Sequence, residues 1–487
     1  MGPSIRCVKG IASLLGLAAL ALAVGVAAAS APAPAPTYAT QLWGSDDSVD
    51  VAIADFNGDG RGEIVTANYN PGSVTVGDKE YHVGGLAGWV EAHDLNRDGR
   101  PDLVVEAEND TVFVAVLLNR GGGVFGAATT VLDNAGWLTV GDVTGDGRPD
   151  IVSAKGNTVT IVPNNGDGTF GSPATYEAGK TVSRAAIEDV NGDGRGDLAL
   201  TSGRAATLAI LISNGDGTFR PRVDYATGSN PSTPTLGDLN GDGRGDVAVP
   251  SGTGNSVGVF LSNSDGTLRP RQDYATGPSP DWVGIQDVNG DGKKDLLLAG
   301  TSARVLSVLL NNGDGTFKPA RKYPIWRKAW VEAVRDMNGD GAPDVVMLDP
   351  YLPAVTLLVN RGDGTFEPKL DYIPALELWG GTVAIGDLNG DKRLDLAVPV
   401  GNSRNGWTYL SVFLNKPGTC NVQLVGGMTL AAAKQQLARV NCRVGKVRRV
   451  FSNWVAKGRV LAQTPRFGSQ RPGGTRVDLV VSKGPWR

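Results

Sequence analysis

Between residues 48 and 415, short apolar stretches alternate with turns rich in glycine, asparagine and aspartate, and the same order keeps returning. Stretches this short, rich in Val, Ile, Leu and Thr and bounded by turn residues, predict strands. In the third unit, residues 137–142 form a strand running into an acidic turn, and 149–154 form a second strand leaving it. A third strand follows at 158–163, the turn Asn165-Gly-Asp-Gly-Thr169 reverses the chain, and 170–176 gives a fourth. The unit is therefore expected to be a four-stranded antiparallel meander. Related turns at 214–219, 263–268, 312–317 and 361–366, with a degenerate copy at 120–125, read as hairpin turns, a second metal site being the alternative. Beyond residue 418 the pattern changes. Leu430, Ala433, Leu437 and Val440 recur at helical spacing behind Thr429, which suits an N-cap, and strands are predicted at 444–451, 459–464 and 475–482.

The acidic turn after each first strand is where candidate chemistry concentrates. In the fifth unit it reads Asp238-Leu-Asn240-Gly-Asp242-Gly-Arg244-Gly-Asp246, with oxygen-bearing side chains at positions 1, 3, 5 and 9 and a glycine at position 6, where a Cβ would obstruct the turn. A hard cation such as Ca²⁺ takes roughly six to eight oxygens, and the backbone carbonyl of position 7 can add one to those of the side chains. The pattern opens at Asp55, Asp94, Asp142, Asp189, Asp238, Asp287, Asp336 and Asp387, with spacings of 39, 48, 47, 49, 49, 49 and 51 residues. That is a long-period repeat of eight units.

The expected calcium ligands are, loop by loop, Asp55, Asn57, Asp59, Arg61 and Glu63; Asp94, Asn96, Asp98, Arg100 and Asp102; Asp142, Thr144, Asp146, Arg148 and Asp150; and Asp189, Asn191, Asp193, Arg195 and Asp197. They continue with Asp238, Asn240, Asp242, Arg244 and Asp246; Asp287, Asn289, Asp291, Lys293 and Asp295; Asp336, Asn338, Asp340, Ala342 and Asp344; and Asp387, Asn389, Asp391, Arg393 and Asp395. Arg97 and Lys392 replace glycine at positions 4 and 6. The Asp387 loop is expected to be the weakest site, because Lys392 strains the turn and adds a positive charge.

Four-stranded sheets repeated radially make a β-propeller, for which roughly four to eight blades are usual. The eighth unit has three strands of its own, 381–385, 394–400 and 407–415. Tyr38-Ala-Thr40 matches Tyr225-Ala-Thr227 and Tyr274-Ala-Thr276, which lie in fourth strands, so the N-terminal segment is expected to close the ring. The first unit is shorter, with strands at 72–76 and 79–83 joined by a tighter hairpin. With these motifs, residues 37–415 resemble the FG-GAP or VCBS repeat family, which includes the integrin-alpha-like propellers. The resemblance implies an all-β, eight-bladed calcium-loop propeller, seven blades being the alternative, used outside the cell for adhesion, glycan binding or scaffolding.

The tail reads as strand, helix and three strands, carrying Gly427-Met428-Thr429, Gly445-Lys-Val447, Gly458-Arg-Val460, Gln463-Thr-Pro465, Gly474 and Ser482-Lys-Gly484. In this it is similar to the PASTA domain, a small α+β module, although Cys420-Asn421 stands where that family usually has Val-Pro. The resemblance implies association with bacterial cell-wall peptidoglycan.

Charge sharpens the division. The chain of 487 residues carries a formal net charge of only −4, yet residues 418–487 hold 13 Lys/Arg against the single acid Asp478, while the repeats hold 49 acids against 31 bases. We therefore expect a repeat domain at 37–417 and a tail domain at 418–487. At the other end, Arg6 and Lys9 precede an apolar run at 11–26 and three alanines, the layout of a signal peptide over 1–29 followed by an Ala/Pro spacer at 30–36. A retained anchor is the alternative. No second apolar run follows, so no transmembrane span is expected in the mature chain. Cys7 leaves with the leader, and Cys420 and Cys442 are expected to pair as a disulfide in an exported protein.

These features point to a secreted or cell-surface bacterial protein that binds calcium and an extracellular glycan or protein, with peptidoglycan or an anionic wall polymer as the partner of the tail. Nucleic acid is not expected. An enzyme is disfavoured: 24 of the 49 acids in the repeats sit at metal-ligand spacing, His82 and His93 are the only histidines, and no nucleophile or phosphate motif is present. A structural spacer without a specific ligand is the alternative, and a polysaccharide-active enzyme is a more distant one. For recognition, Trp89, Trp137 and Trp282 each lie five residues before a loop's first aspartate and Trp330 lies six before. They are expected on the face opposite the calcium loops, joined by Tyr351, Arg404 and Trp407, unless they serve as packing between blades.

Overall fold

The computed structural model describes residues 38–44, 48–182, 184–300, 304–325, 330–349, 354–372, 377–378, 382–402, 407–416 and 418–485. The leader at 1–29, the spacer at 30–36, Tyr351 and Arg404 lie outside the described residues, as does the side chain of Trp407. Described residues 48 to 372 form seven sheets of four strands, each sheet built from strands consecutive in the chain and paired antiparallel. The third unit is representative: Trp137–Gly141, Asp150–Lys155, Thr158–Val162 and Ala174–Glu177 pair in that order. Its fourth strand starts at Ala174 and not at Phe170, because Pro173 has no N–H to offer a ladder; Phe170 instead makes a single bridge to Asn164.

The last sheet joins the two ends of the repeat region. Tyr38–Gly44 lies antiparallel to Trp407–Asn415 in continuous register from Tyr38 opposite Asn415 to Gly44 opposite Tyr409. Trp407–Asn415 pairs in turn with Asp395–Asn402, against which two short strands lie, Ala384–Gly386 and Glu377–Leu378. Side chains tie this sheet to its neighbours in sequence and across the chain ends. The Thr382 hydroxyl donates to Asp50 of the first sheet at 2.5 Å, and Val383 N–H donates to Glu332 of the seventh at 3.3 Å. Asp50 also accepts from Val90 N–H of the second sheet at 2.9 Å.

Hydrophobic burial explains the stacking. The second and third strands of each sheet are buried on both faces, so they read as near-continuous runs such as Asp295–Gly300 and Val305–Leu309. Fourth strands such as Gln272–Ala275 are largely exposed. Leu239, Ala248 and Val259 of the fifth sheet pack directly against Val283, Leu296 and Leu309 of the sixth, and equivalent clusters lie between other neighbours.

Two further devices link consecutive sheets. In the second, third, fourth, sixth, seventh and last units, the residue that follows or ends the third strand is a buried Asn or Ser whose side chain donates to the preceding sheet, as from Asn164 Nδ2 to Leu95 C=O at 2.8 Å, Ser213 Oγ to Val143 C=O at 2.6 Å and Asn360 Nδ2 to Val288 C=O at 2.8 Å; Ser262 of the fifth donates within its own unit, to Gly245 C=O. The Gly-Asp-Gly-Thr-Phe hairpin that follows then clasps the preceding sheet. Its phenylalanine meets a fourth-strand tyrosine edge-to-face in the pairs Tyr176–Phe219, Tyr274–Phe317 and Tyr323–Phe366, with ring centroids 5.1–5.4 Å apart.

In the tail, helix Leu430–Arg439 starts at Thr429, whose side chain accepts from Ala432 N–H. It packs on a three-stranded sheet in which Arg476–Ser482 is central, parallel to Arg443–Val450 and antiparallel to Val460–Thr464. Thr419–Asn421 pairs with Gln470–Pro472, and Cys420 is disulfide-bonded to Cys442. The tail shares its core with the seventh sheet, where Leu370 and Tyr372 are buried in one cluster with Val422, Ala433 and Leu437. Gln423 gives both its amide groups to the backbone of Asp371, each at 2.9 Å, much as another strand would. Gln436 donates to Lys369 C=O at 3.0 Å, and Arg439 pairs with Glu367 and donates to Pro368 C=O at 2.7 Å. The tail thus occupies the place on the seventh sheet that a hairpin clasp takes elsewhere.

Candidate metal loops and tail surface

Each acidic loop closes on its own first aspartate. In the first loop, Asp55 accepts from the N–H groups of Gly58, Asp59 and Gly60, and Asp59 accepts from Arg61 N–H. The fifth loop repeats this, with Asp238 accepting from Gly241, Asp242 and Gly243 and Asp242 from Arg244. Glycine at positions 4 and 6 takes positive φ, as at Gly241 (81°) and Gly243 (80°); Arg97 (59°) and Lys392 (64°) adopt the same conformation with a side chain in place. The side chains of positions 1, 3 and 5 remain together at the exposed rim, with Asn191 Nδ2 3.1 Å from Asp193 and Asn338 Nδ2 3.0 Å from Asp340.

Position 9 divides the loops into two kinds. In seven of them it is an aspartate with no exposed surface: Asp102, Asp150, Asp197, Asp246, Asp295, Asp344 and Asp395. One oxygen accepts from the N–H of loop position 2 and the other from the N–H of the residue ending the third strand; for Asp246 these are Leu239 at 3.0 Å and Ser262 at 2.8 Å. Burial raises the carboxyl pKa of Asp102, Asp197, Asp246 and Asp295 to about 6, and that of Asp344 to about 7, against the pull of the two amides. In the first loop position 9 is Glu63, whose longer side chain reaches back to Phe56 N–H at 2.8 Å and to Asn57 Nδ2 at 2.6 Å. There Asp55, Asp59 and Glu63 offer ligand oxygens within 4.8 Å of one another. All-oxygen donors of this kind suit a hard divalent ion.

Position 7 does more than lend a carbonyl. Arg148, Arg195 and Lys293 reach across the loop to the hairpin of their own sheet, donating to Asn165, Asn214 and Asn312 C=O at 2.7, 2.9 and 3.0 Å. Arg100 and Arg148 also pair with the position-5 aspartate at 3.2 Å.

The tryptophans separate into two classes. Trp137 and Trp330 are 47% and 42% exposed, whereas Trp89 and Trp282 are half-buried and pack against the cores between sheets. His93 lies 2.8 Å from Glu91. In the tail, Arg443, Lys446, Arg448, Arg449, Lys457, Arg459, Arg466, Arg471 and Arg476 form no ion pair with the repeats among the described residues; Arg439 alone of the tail's bases does. In the turn after Arg443–Val450, Trp454 is 95% exposed, and Lys483 sits over the Phe451 ring at 5.0 Å. The sequence reading passed over Trp454, whose signal was a tryptophan in the polar turn Ser452-Asn-Trp-Val455. It also passed over the buried Asn/Ser that ends each third strand, whose signal was its constant place before the hairpin.

Residues 94–153, 142–200, 189–249, 287–335 and 336–398 match the FG-GAP-like repeat, and residues 422–483 match the PASTA domain. Over 59 residues the chain is 42% identical to a "probable serine/threonine-protein kinase" of Clostridium acetobutylicum, a match that spans 12% of this chain and 9% of that protein. Among solved structures it is similar to a lectin of Agrocybe aegerita that recognises non-reducing terminal N-acetylglucosamine, at 25% identity and a TM-score of 0.42 over 59% of this chain and 80% of that one. It is also similar to a biofilm matrix protein of V. cholerae, at 14% identity and a TM-score of 0.43 over 79% and 92% of the two chains. Among the described residues, no helix is long and apolar enough to cross a membrane.

Proposed function

Because this chain belongs to the FG-GAP-like repeat family and ends in a PASTA domain, we propose that it is an exported bacterial binding protein, an eight-bladed propeller closed by its N-terminal strand and held at the cell wall by its tail. The observation that carries the wall assignment is the tail surface, which carries nine Lys and Arg side chains without ion pairs to the described repeats and the exposed Trp454. Guanidinium and ammonium groups recognise carboxylates and phosphates, the anionic groups of wall polymers and peptide stems, and an exposed indole offers a flat apolar contact to a sugar ring. Salt-sensitive retention of the full chain on purified peptidoglycan is the expected result. Equal retention of a chain with Arg443, Lys446, Arg448 and Trp454 replaced by Gln, Gln, Gln and Ala overturns the assignment.

In this reading calcium belongs to the fold. Positions 1, 3 and 5 of each loop would supply side-chain oxygens and position 7 a carbonyl, with Glu63 completing the first set. The ion would supply charge neutralisation, since the repeats hold 49 acids against 31 bases. The buried aspartates of the other seven loops act instead by pinning loop position 2 to the end of the third strand. A ligand that binds only the folded state raises the melting temperature by mass action, so chelation should lower it, and an unchanged midpoint at low ionic strength overturns the calcium proposal. The reading assigns no catalytic role. Its surface for a glycan or protein ligand is the exposed pair Trp137 and Trp330.

A further inference from the structure

The seam between the last sheet and the first lacks both the hairpin clasp found on the first six sheets and the tail that replaces it on the seventh. In the sixth unit, the hairpin glycine Gly315 lies so close to the preceding sheet that a Cβ would meet Leu261 at 2.6 Å; Gly266 stands likewise against Ile212 and Gly364 against Leu310. The first unit has no such hairpin, because its third strand Ser73–Val76 turns directly at Gly77 into Lys79–His82. Among the described residues no hairpin therefore covers Leu414 and Leu388, the residues equivalent to the clasped ones, although both pack at the edge of the cluster of Val51, Ala384 and Val412.

Three observations show the consequence. A cavity of about 460 Å³ opens at this seam, with Leu410, Val412, Leu414 and Leu388 of the last sheet facing Ile64 and Thr75 of the first. That volume is within the range of small-ligand and side-chain sites. Leu388 is only half-buried, whereas the same loop position is fully buried in the other seven units, from Phe56 to Met337. Finally, Arg61 holds loop position 7 at the rim of the cavity. Its counterparts Arg148, Arg195 and Lys293 donate to a hairpin carbonyl, but the Arg61 guanidinium has no hydrogen-bond or ion-pair partner among the described residues.

We propose that this seam is a docking socket for a partner protein that presents a Gly-Asp-Gly-Thr-Phe-like hairpin. The occupant is specified by the chain itself: at five other seams the same space takes a phenylalanine on a tight glycine turn (Phe125, Phe170, Phe219, Phe317 and Phe366), Leu268 stands in its place at a sixth, and the tail takes it on the seventh sheet. Its ring would lie on the apolar floor, and its turn carbonyl would accept from Arg61. The hairpins of a second copy are already engaged in its own seams, which leaves a different protein as the source. The socket is separate from the wall-binding surface, but it borders the first and last acidic loops, since Asp59, Glu63 and Asn389 also line it, and the titration is therefore made at saturating calcium.

The experiment uses a fluorescein-labelled, backbone-cyclised peptide carrying residues 311–320 of this chain, Asn-Asn-Gly-Asp-Gly-Thr-Phe-Lys-Pro-Ala, titrated with the full chain in saturating calcium and read by anisotropy. Saturable binding is expected, weakened at least tenfold when the peptide's phenylalanine is replaced by alanine and several-fold by Arg61→Ala in the protein. Leu414→Glu and Thr75→Trp should abolish it. Should Leu414→Glu also lower the melting temperature, Thr75→Trp, at a half-buried site, still decides. Absence of saturable binding, equal binding of the alanine peptide, or undiminished binding by Thr75→Trp overturns the proposal. Binding that appears only after residues before Tyr38 are removed also overturns it, since the occupant would then be the chain's own upstream segment. Self-association that Thr75→Trp abolishes overturns it as well, by naming a second copy.

Discussion

Asp246→Asn tests whether the ninth loop position holds metal or holds backbone. The Asp246 carboxylate is fully buried and accepts from Leu239 N–H at 3.0 Å and Ser262 N–H at 2.8 Å. An asparagine keeps one acceptor oxygen and turns its NH₂ toward the second amide, so one hydrogen bond to a charged acceptor, about 1.5–3 kcal/mol, is lost, and two donors are left facing each other. Against this, the burial that lifts the Asp246 pKa to about 6 no longer opposes a charge. The net loss is about 2–4 kcal/mol, felt with or without calcium. Since stability in a repeat array is local, the informative readout is hydrogen exchange at Leu239 and Ser262, alongside the urea midpoint. Asp242→Asn serves as the contrast: this aspartate is exposed and accepts from Arg244 N–H, so in chelator it should cost no more than about 1 kcal/mol while weakening calcium binding. If Asp246→Asn is neutral in chelator and costly only in calcium, the carboxylate is a ligand first and the pinning argument is wrong.

Other outcomes follow from the same geometry. Burial, reinforced by repulsion from Asp50, raises the Glu332 pKa to about 8 from an ordinary 4.5, so its contribution is complete below about pH 4.5 and is lost as pH rises through about 8. Melting curves from pH 5 to 9 should show a decline of about 2–4 kcal/mol that Glu332→Gln flattens; an unchanged slope in that variant refutes the assignment. Arg439→Ala removes the pair with Glu367 and the bond to Pro368, and should cost about 2–3 kcal/mol of the tail's protection in hydrogen exchange, leaving the first six sheets untouched. Trp282→Ala, which empties space in a core between sheets, should cost about 2–3 kcal/mol, and Trp137→Ala less than about 1. Loss of ligand retention with normal melting in Trp137→Ala would identify that ring as a contact.

What the sequence disclosed was local and periodic. The order of the strands, the returning acidic loop and the helix behind Thr429 follow from spacing alone, and so does the matching of Tyr38-Ala-Thr40 to fourth strands, which led to the pairing of Tyr38–Gly44 with Trp407–Asn415. Contacts between units could not be read this way. A Gly-Asp-Gly-Thr-Phe stretch is a turn by composition, and only the placement of Phe317 beside Tyr274 makes it a clasp. Asp246 matches a ligand by spacing, yet at this position an aspartate spends one oxygen on loop position 2 and the other on the residue after the third strand, while the longer Glu63 keeps the first contact and turns its other oxygen to Asn57 at the rim. Gln423 and Arg439 looked like ordinary tail residues because their partners, Asp371 and Glu367, lie more than fifty residues upstream.

The strand Tyr38–Gly44 also fixes an order of events. Each of the seven earlier sheets is made of neighbours in the chain and can form as soon as its own fifty or so residues have emerged. The eighth cannot, since its outer strand is made before all seven of them and its partner, Trp407–Asn415, after them. Throughout synthesis and any passage through a membrane, that first strand must travel with its backbone groups unmet, an open edge available to any other strand. The final step is then a search over nearly the whole chain, with the slow kinetics of distant pairing, and it is the step at which two incomplete chains standing side by side could exchange ends.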